Sequence, residues 1–408
     1  MIEMVKVTAD FGTSNWQVGN LYLQQGKIYF TYDKQFPAER FRLSPFQLSI
    51  DKTLAHAATD QHRSLFWGLL GVFGDSLPDG WGLLLIKRSM ETKHVRFSEM
   101  SGLDFLSFVG HNGLGVLRYE PQRESKKGQN KLINLIEIEN ESKKILEGEG
   151  SDILNTLLKL GGSPGGARPK VTVGIKFSPD GTWTARTNLG LNKGFHPWLI
   201  KFFTKEDSKD ASVVEYHYMK AAEELGIRVP EYRLFESHGH SYFGTRRFDI
   251  SPTGENFHLH SAAGMLHADF RLPSLDYRDL LKVVARLTND KAEILKMYQL
   301  AVFNAVFHNR DDHAKNFSFL MDQAGKWTLS PAYDLTYSEG LGGEHSTSYL
   351  GEGSAISAEI LRDLSKEFKI NAIEAKNIVE RTKVKKEEIS KELKGLGMSK
   401  HPLIRFEN

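Results

Sequence analysis

Apolar and polar residues alternate in Val5-Lys6-Val7-Thr8-Ala9-Asp10, from Trp16 to Leu23 and from Lys27 to Tyr32, which predicts a small β-meander with Gly26 in a turn. Asp10-Phe11-Gly12 falls between the first two runs and reads as a β-turn. The turn sequence Gly-Asp-Ser-Leu-Pro-Asp-Gly at 74–80 opens the apolar stretch Trp81 to Ile86, and Leu103 to Val109 predicts a buried helix ended by Gly110. From Gln122 to Lys131 the chain is polar and basic without periodicity, as a linker would be. Ser151 then stands where it would cap a short amphipathic helix to Leu160, and the segment 161–170 runs into a strand, Val171 to Phe177.

Further strands are expected around Trp183, from Trp198 to Phe203, near Glu231–Phe235 and from Tyr242 to Phe248. A helix from about Ala211 to Leu225 stops at Gly226, in the manner of a C′ glycine. Residues 255–408 read as mostly helical, except for a hairpin pairing Phe317–Met321 with Trp327–Ser330. Ala292 to Phe307 is apolar nearly all round and is therefore a buried helix, whereas Lys and Glu alternate at 382–394 as on a solvated face. The pattern is that of an α+β protein.

Composition narrows the chemistry. Of 408 residues, 40% are hydrophobic and 11% aromatic, enough for sizeable cores, so the chain is expected to fold into more than one domain. Lys plus Arg (53) nearly balances Asp plus Glu (51), so no whole-chain field calls for nucleic acid or a membrane surface. The absence of cysteine removes disulfides, thiol nucleophiles, cysteine-bound zinc and iron–sulfur clusters. No apolar run suits a signal or a membrane span, and a cytoplasmic protein is expected.

Three segments carry candidate chemistry. Gly161-Gly162-Ser163-Pro164-Gly165-Gly166-Ala167-Arg168-Pro169-Lys170 sets four glycines and an alanine around one serine, which fits both a backbone phosphate cradle and an ordinary turn. Lys201 lies in the apolar run Trp198 to Phe203, where a buried ammonium needs an anion. Glu215, on a mostly apolar helix flank, is one candidate; the alternative is a snorkelling lysine and a solvent-facing glutamate. Third, His308-Asn309-Arg310-Asp311-Asp312-His313-Ala314-Lys315-Asn316 follows the buried helix, with four residues between Asp311 and Asn316 as in the kinase catalytic loop. Eighteen residues beyond Asn316 comes Asp334, in Ser330-Pro331-Ala332-Tyr333-Asp334-Leu335. Asp311 would accept the substrate proton, Lys315 would offset phosphoryl charge, and Asn316 with Asp334 would offer Mg²⁺ hard oxygen ligands. A two-metal hydrolase built from the Asp-Asp-His group and His308 is a competing reading. The order of glycine-rich loop, strand lysine, helix glutamate, Asp-x4-Asn and a later Asp matches protein kinases, whereas a hydrolase explains only the last two parts.

Together, residues 161–170, Arg-Asp-Asp-His-Ala-Lys-Asn-Phe-Ser at 310–318 and Pro-Ala-Tyr-Asp at 331–334 resemble the HipA family of bacterial serine/threonine kinases, the toxins of toxin–antitoxin pairs. Asp75-Ser76-Leu77-Pro78-Asp79-Gly80-Trp81-Gly82 and the stretch from Val109 to Arg118 are similar to that family's N-terminal module. The resemblance implies a kinase-like two-lobe architecture: an N-terminal module at 1–121, a mixed-sheet nucleotide lobe at 122–245 and a helical lobe with the catalytic loop at 246–408. It implies transfer of the ATP γ-phosphoryl group to a protein serine, in relatives an aminoacyl-tRNA synthetase, and autophosphorylation of Ser163. The implied nucleotide site collects Ser163, Gly165, Gly166, Ala167, Lys170, Lys201, Glu215, Asp311, His313, Lys315, Asn316 and Asp334, with ATP and Mg²⁺ as cofactors. The implied partner is a HipB-like helix-turn-helix antitoxin, through which DNA is met indirectly. Arg246 and Ile250 depart from the family's frequent glutamate and arginine, so no hinge side chain is named as a ligand. A catalytically weak kinase-fold scaffold holding an antitoxin on its operator is the alternative; an actin-like small-molecule kinase would instead depend on Asp10 and Thr13.

Overall fold

The computed structural model describes residues 2–123, 131–150, 153–161, 166, 168–187, 194–204, 210–398 and 401–405. It divides into two compact units: 1–209 with 232–260 and 322–325, and 210–231 with 261–321 and 326–408.

The first unit holds two sheets. One has the order β4-β3-β2-β1-β5, from β1 (Met4–Asp10), β2 (Asn15–Gln24), β3 (Lys27–Tyr32), β4 (His56–Ala57) and β5 (Leu117–Glu120), every pair antiparallel. The alternation in sequence becomes alternation in burial: Val5, Val7 and Ala9 point inward, as do Ile28, Phe30 and Tyr32. Asp10-Phe11-Gly12 does form the turn between β1 and β2, with the Gly12 N–H on Asp10 Oδ1 (2.9 Å). Helices α1 (Gly71–Gly74), α2 (Gly80–Glu91) and α3 (Gly102–Val109) follow. A Ser101/Asp104 capping box starts α3, and Gly110 ends it.

The second sheet comprises β6 (Lys170–Phe177), β7 (Trp183–Arg186), β8 (His196–Lys201), β9 (Tyr232–Ser237) and β10 (His240–Arg246), in the order β7-β6-β8-β10-β9. All its pairs are antiparallel, which corrects the expected mixed sheet. A helix does connect β8 to β9, as in a parallel crossover, but β10 inserts between them and runs against both. Two helices, α4 (Leu135–Glu147) and α5 (Leu154–Gly161), cover this sheet; α4 is absent from the sequence reading, and the expected cap Ser151 lies outside the described residues. One core joins Trp81 and Leu85 of α2, Leu135 and Ile138 of α4, Leu157 of α5, and Val171, Trp198, Ile200 and Phe235 of the strands.

Several polar groups buried in this unit are paired with one another. Asp249 accepts two bonds from Arg247 (3.0 and 2.6 Å) and one from the Gly115 N–H (2.6 Å). Burial alone would raise the Asp249 carboxyl, but Arg247 and Gly115 outweigh it and hold it below the usual range. Gly115 has φ +72°, and a Cβ there would stand 2.9 Å from the Leu259 nitrogen, so the position requires glycine. In β11 (His258–Ser261), His258 Nε2 bonds to the Leu43 carbonyl (2.9 Å), and His260 lies between Asp75 (2.6 Å) and Ser44 (3.0 Å). Both are hydrogen-bonded core histidines.

The second unit is mainly helical: α6 (Ala211–Glu224), α7 (Ala262–Leu266), α8 (Tyr277–Thr288), α9 (Lys291–Phe307), α10 (Ala358–Glu367), α11 (Ala372–Gly395) and α12 (Pro402–Arg405). Its strands are the parallel pair β12 (Leu275–Asp276) with β15 (Thr347–Ser348) and the hairpin β13 (Ser318–Met321) with β14 (Trp327–Leu329). The hairpin is the expected one, whereas the β12–β15 pair joins residues 72 positions apart that show no local signal. Buried Met297, Leu300, Ala301, Val302, Phe303 and Phe307 surround α9 with apolar contacts, as its sequence requires. Among the described residues, no helix is long and apolar enough to cross a membrane.

Burial pushes His258 down to about 3, with His260 adding to the shift. Burial likewise pushes His308 down to about 4, helped by Lys386 and Arg310. Both rings are neutral when folded, while an unfolded histidine titrates near 6.5. Below that pH the unfolded chain binds more protons, so stability falls as pH falls from about 6.5 towards about 4. Denaturant midpoints should therefore drop between pH 7 and 5, above the carboxylate range; a flat profile across that interval would refute the assignment.

Candidate active site

One group of candidate residues follows α9. His308 ends that helix in the left-handed conformation (φ 53°), and the chain turns sharply into 309–316. The Asn309 N–H bonds to the Asn304 carbonyl (3.0 Å), and its side-chain amide donates to Asn304 Oδ1 (3.0 Å). Asn304 donates to the Tyr277 hydroxyl (2.8 Å), which donates to Asp312 Oδ2 (2.9 Å). Burial raises the Tyr277 phenol well above its ordinary value, and the Asp312 charge adds to this, so Tyr277 remains a donor. His345 Nδ1 also reaches Asp312 Oδ2 (2.8 Å), the Thr347 N–H reaches Oδ1 (3.2 Å), and the Thr347 hydroxyl donates to the Asp312 carbonyl. Asp312, 1% exposed, therefore anchors the loop from within.

Its neighbour Asp311 is exposed. The Asp311 carbonyl accepts the Asn316 side-chain N–H (2.7 Å), so the amide oxygen of Asn316 is the atom left for a cation. His313 Nδ1 accepts from the Lys315 N–H (3.3 Å) and starts a single 3₁₀ turn over Ala314–Asn316; this is a capping role for a residue expected to bind cofactor. Tyr333 ties the next segment to the same loop, donating to the Lys315 carbonyl (2.6 Å) with Ser318 Oγ at 2.6 Å. Asp334, directly after it, has φ +57°. A left-handed aspartate costs energy and persists where surroundings fix it, often at ligand sites. With its carboxylate committed to Tyr277, His345 and Thr347, Asp312 cannot bridge two metals, which removes the basis of the hydrolase reading. Among the described residues, no group of three His, Cys, Asp or Glu is placed to hold a metal. Asn316 and Asp334 carry hard oxygen donors of the kind that would suit a magnesium ion.

The first unit carries the other candidates. Ser163, Gly165 and Ala167 lie outside the described residues. Gly166 has φ +96°, and a Cβ there would stand 2.6 Å from Lys170 Nζ. Three bonds hold this exit of the glycine-rich loop to the start of α2: Trp81 N–H to the Gly166 carbonyl (3.1 Å), Gly166 N–H to Asp79 (3.4 Å) and Trp81 Nε1 to the Lys170 carbonyl (3.1 Å). Lys170 of β6 pairs directly with Lys201 of β8, and the two are 6% and 7% exposed. Like charges opposed on a ladder repel, so the pair concentrates positive charge that a phosphate would complement. Lys201 Nζ also lies 5.9 Å from the Phe243 ring centroid, a buried rather than snorkelling lysine. Glu215 is 1% exposed in the second unit, not facing solvent. Arg246 reaches His196 Nδ1 (2.8 Å), and Thr13 donates to Gln323 Oε1 (2.6 Å). Asp79 and Trp81 thus hold the loop exit without a role assigned from motif spacing, and Asp312, a metal ligand only in the hydrolase reading, anchors its loop from within.

Residues 162–389 match the model of the HipA-like C-terminal domain, and residues 10–120 that of the HipA N-terminal domain. A provisionally named kinase of Sinorhizobium fredii, Y4dM, is 27% identical over 153 residues, 34% of this chain and 36% of that protein. A second from the same organism, Y4mE, is 38% identical over 60 residues, 14% of each chain. The chain therefore matches little more than a third of the length of these curated relatives at most. Among solved structures, HipA of Shewanella oneidensis MR-1, in a toxin–antitoxin complex with HipB and operator DNA, superposes with a TM-score of 0.67 at 19% identity. That match covers 96% of this chain and 89% of the other, so the two share a fold.

Proposed function

The chain belongs to the HipA family, and from that premise we propose that it is an ATP- and Mg²⁺-dependent protein serine/threonine kinase that inhibits growth as the toxin of a toxin–antitoxin pair. The observation that carries this is the bond from the Asn316 amide to the Asp311 carbonyl. It holds Asn316, the proposed cation ligand, against the backbone of Asp311, the proposed proton acceptor, and Tyr333, which precedes Asp334, bonds to the same loop. In this reading Asp311 accepts the proton of the attacking serine hydroxyl, and Lys315 offsets charge on the transferred group. Lys170 and Lys201 hold nucleotide phosphates, and Asn316 and Asp334 hold the metal, which when bound neutralises phosphate charge. Pairing of Lys201 with Glu215 belongs to the same proposal.

A translation component such as an aminoacyl-tRNA synthetase is the proposed substrate, and Ser163 the proposed autophosphorylation site. A phosphoserine there would carry about −1.5 to −2 charges and call for a cationic partner, for which Arg168, Lys170 or another base is a candidate. The Shewanella complex supports a HipB-like antitoxin as partner, with operator DNA met through it. Intact-mass spectrometry after incubation with ATP and Mg²⁺ tests the reading. The parent should gain phosphate, whereas Ser163→Ala and Asp334→Ala should gain none. A parent that gains no phosphate, is unmodified as purified and binds no ATP by calorimetry would overturn the kinase assignment.

A further inference from the structure

Lys315 is half-buried, and its Nζ stands 3.9 Å from the centroid of the Phe270 ring. A cation over an aromatic face is attracted by the ring quadrupole, and this separation is well within the ~6 Å reach of that force. The ring is itself firmly presented. Asp269 Oδ1 accepts from the Arg271 backbone N–H (3.1 Å) and Nε (2.8 Å), and Oδ2 accepts from Nη2 (3.2 Å). The Ser274 hydroxyl donates to the Asp269 carbonyl (2.8 Å), so residues 269–274 form a stapled turn. The Arg271 guanidinium lies 5.7 Å from the Phe270 centroid and the His313 ring 6.1 Å away. His313 also fixes the backbone of Lys315, so main chain and side chain are held from one side.

We propose that Phe270 is a positioning residue for Lys315, its ring holding the ammonium beside the catalytic loop before substrate arrives; this rests on the kinase reading of residues 308–316. A lysine has four rotatable side-chain bonds, and ordering it only at the moment of transfer would add an entropic barrier. The ring contact itself takes up none of the ammonium's N–H donors.

Two variants and two readouts test this. Without nucleotide, the rate at which an acylating reagent modifies Lys315 is followed by peptide mass spectrometry; with ATP and Mg²⁺, steady-state transfer is followed. The ring favours the ammonium over the reactive free amine, so Phe270→Leu should speed acylation about threefold to tenfold. The same variant should lower kcat about tenfold with KM for ATP within about twofold, because the lost placement matters mainly in the transition state. Phe270→Tyr keeps the aromatic face and should restore both to within about twofold of the parent, with thermal unfolding unchanged in either variant. Equal acylation of parent and Phe270→Leu would overturn the proposal, as would equal impairment by leucine and tyrosine. A parent that transfers no phosphate would overturn the kinase reading instead, and the acylation rates alone would then decide whether Phe270 holds Lys315.

Discussion

Asp311→Asn should lower the rate of phosphate transfer by about 10²- to 10⁴-fold, the usual contribution of a positioned general base. The unfolding midpoint should hardly move. The Asp311 side chain is exposed, while its backbone carbonyl, which asparagine retains, is the group that holds Asn316. The amide is nearly isosteric with the carboxylate but cannot take the hydroxyl proton, so the loss should fall on kcat with little change in KM for ATP. Steady-state transfer to a protein substrate, with calorimetric unfolding of the same sample, checks both halves. Transfer within threefold of the parent would remove Asp311 from the proton-acceptor role.

One residue further on, the expected effect is the opposite in kind. Asp312→Ala should cost about 3–5 kcal/mol of stability, the usual penalty for removing one partner from a buried, hydrogen-bonded charged group. Tyr277, His345 and Thr347 all point donors at that carboxylate, and each would be left unsatisfied in the interior. Asp312→Asn keeps an acceptor oxygen and should cost less. Urea unfolding of the intact protein measures the loss, and hydrogen exchange should show residues 309–316 opening first. Stability unchanged in the alanine variant would mean that the loop is held by something else.

The contrast between these two aspartates marks where sequence reading stops. Their spacing to Asn316 singles out Asp311, and the apolar helix before them predicts a rigid loop. Which carboxylate turns inward depends on Tyr277, Asn304 and His345, up to 35 residues away and without any periodic signal of their own. Elements with strong local patterns were legible for the same physical reason. The first meander alternates, α3 has a capping serine and a terminating glycine, and α9 is apolar on every side. Strand direction in the second sheet was not legible, because the pairing of β10 between β8 and β9 is a property of the assembled sheet. Nor was the grip of Trp81 on the glycine-rich loop, made between residues 89 positions apart.

That grip bears on how chains of this kind can be recombined. The family is described by two domain models, whose boundaries suggest two exchangeable cassettes. Trp81 and Leu85 belong to the first cassette, yet they are buried in one core with Val171 and Trp198 of the second, and the Trp81 indole donates to the Lys170 carbonyl. A chimera joined in the linker would inherit a tryptophan shaped for another protein's sheet, with mismatches of the kind that typically cost cores about 1–3 kcal/mol. Substitutions at Trp81 or Leu85 are thereby coupled through packing to the second sheet. The heritable unit is the core that spans the linker, and a successful graft would carry α2 along with the loop it holds.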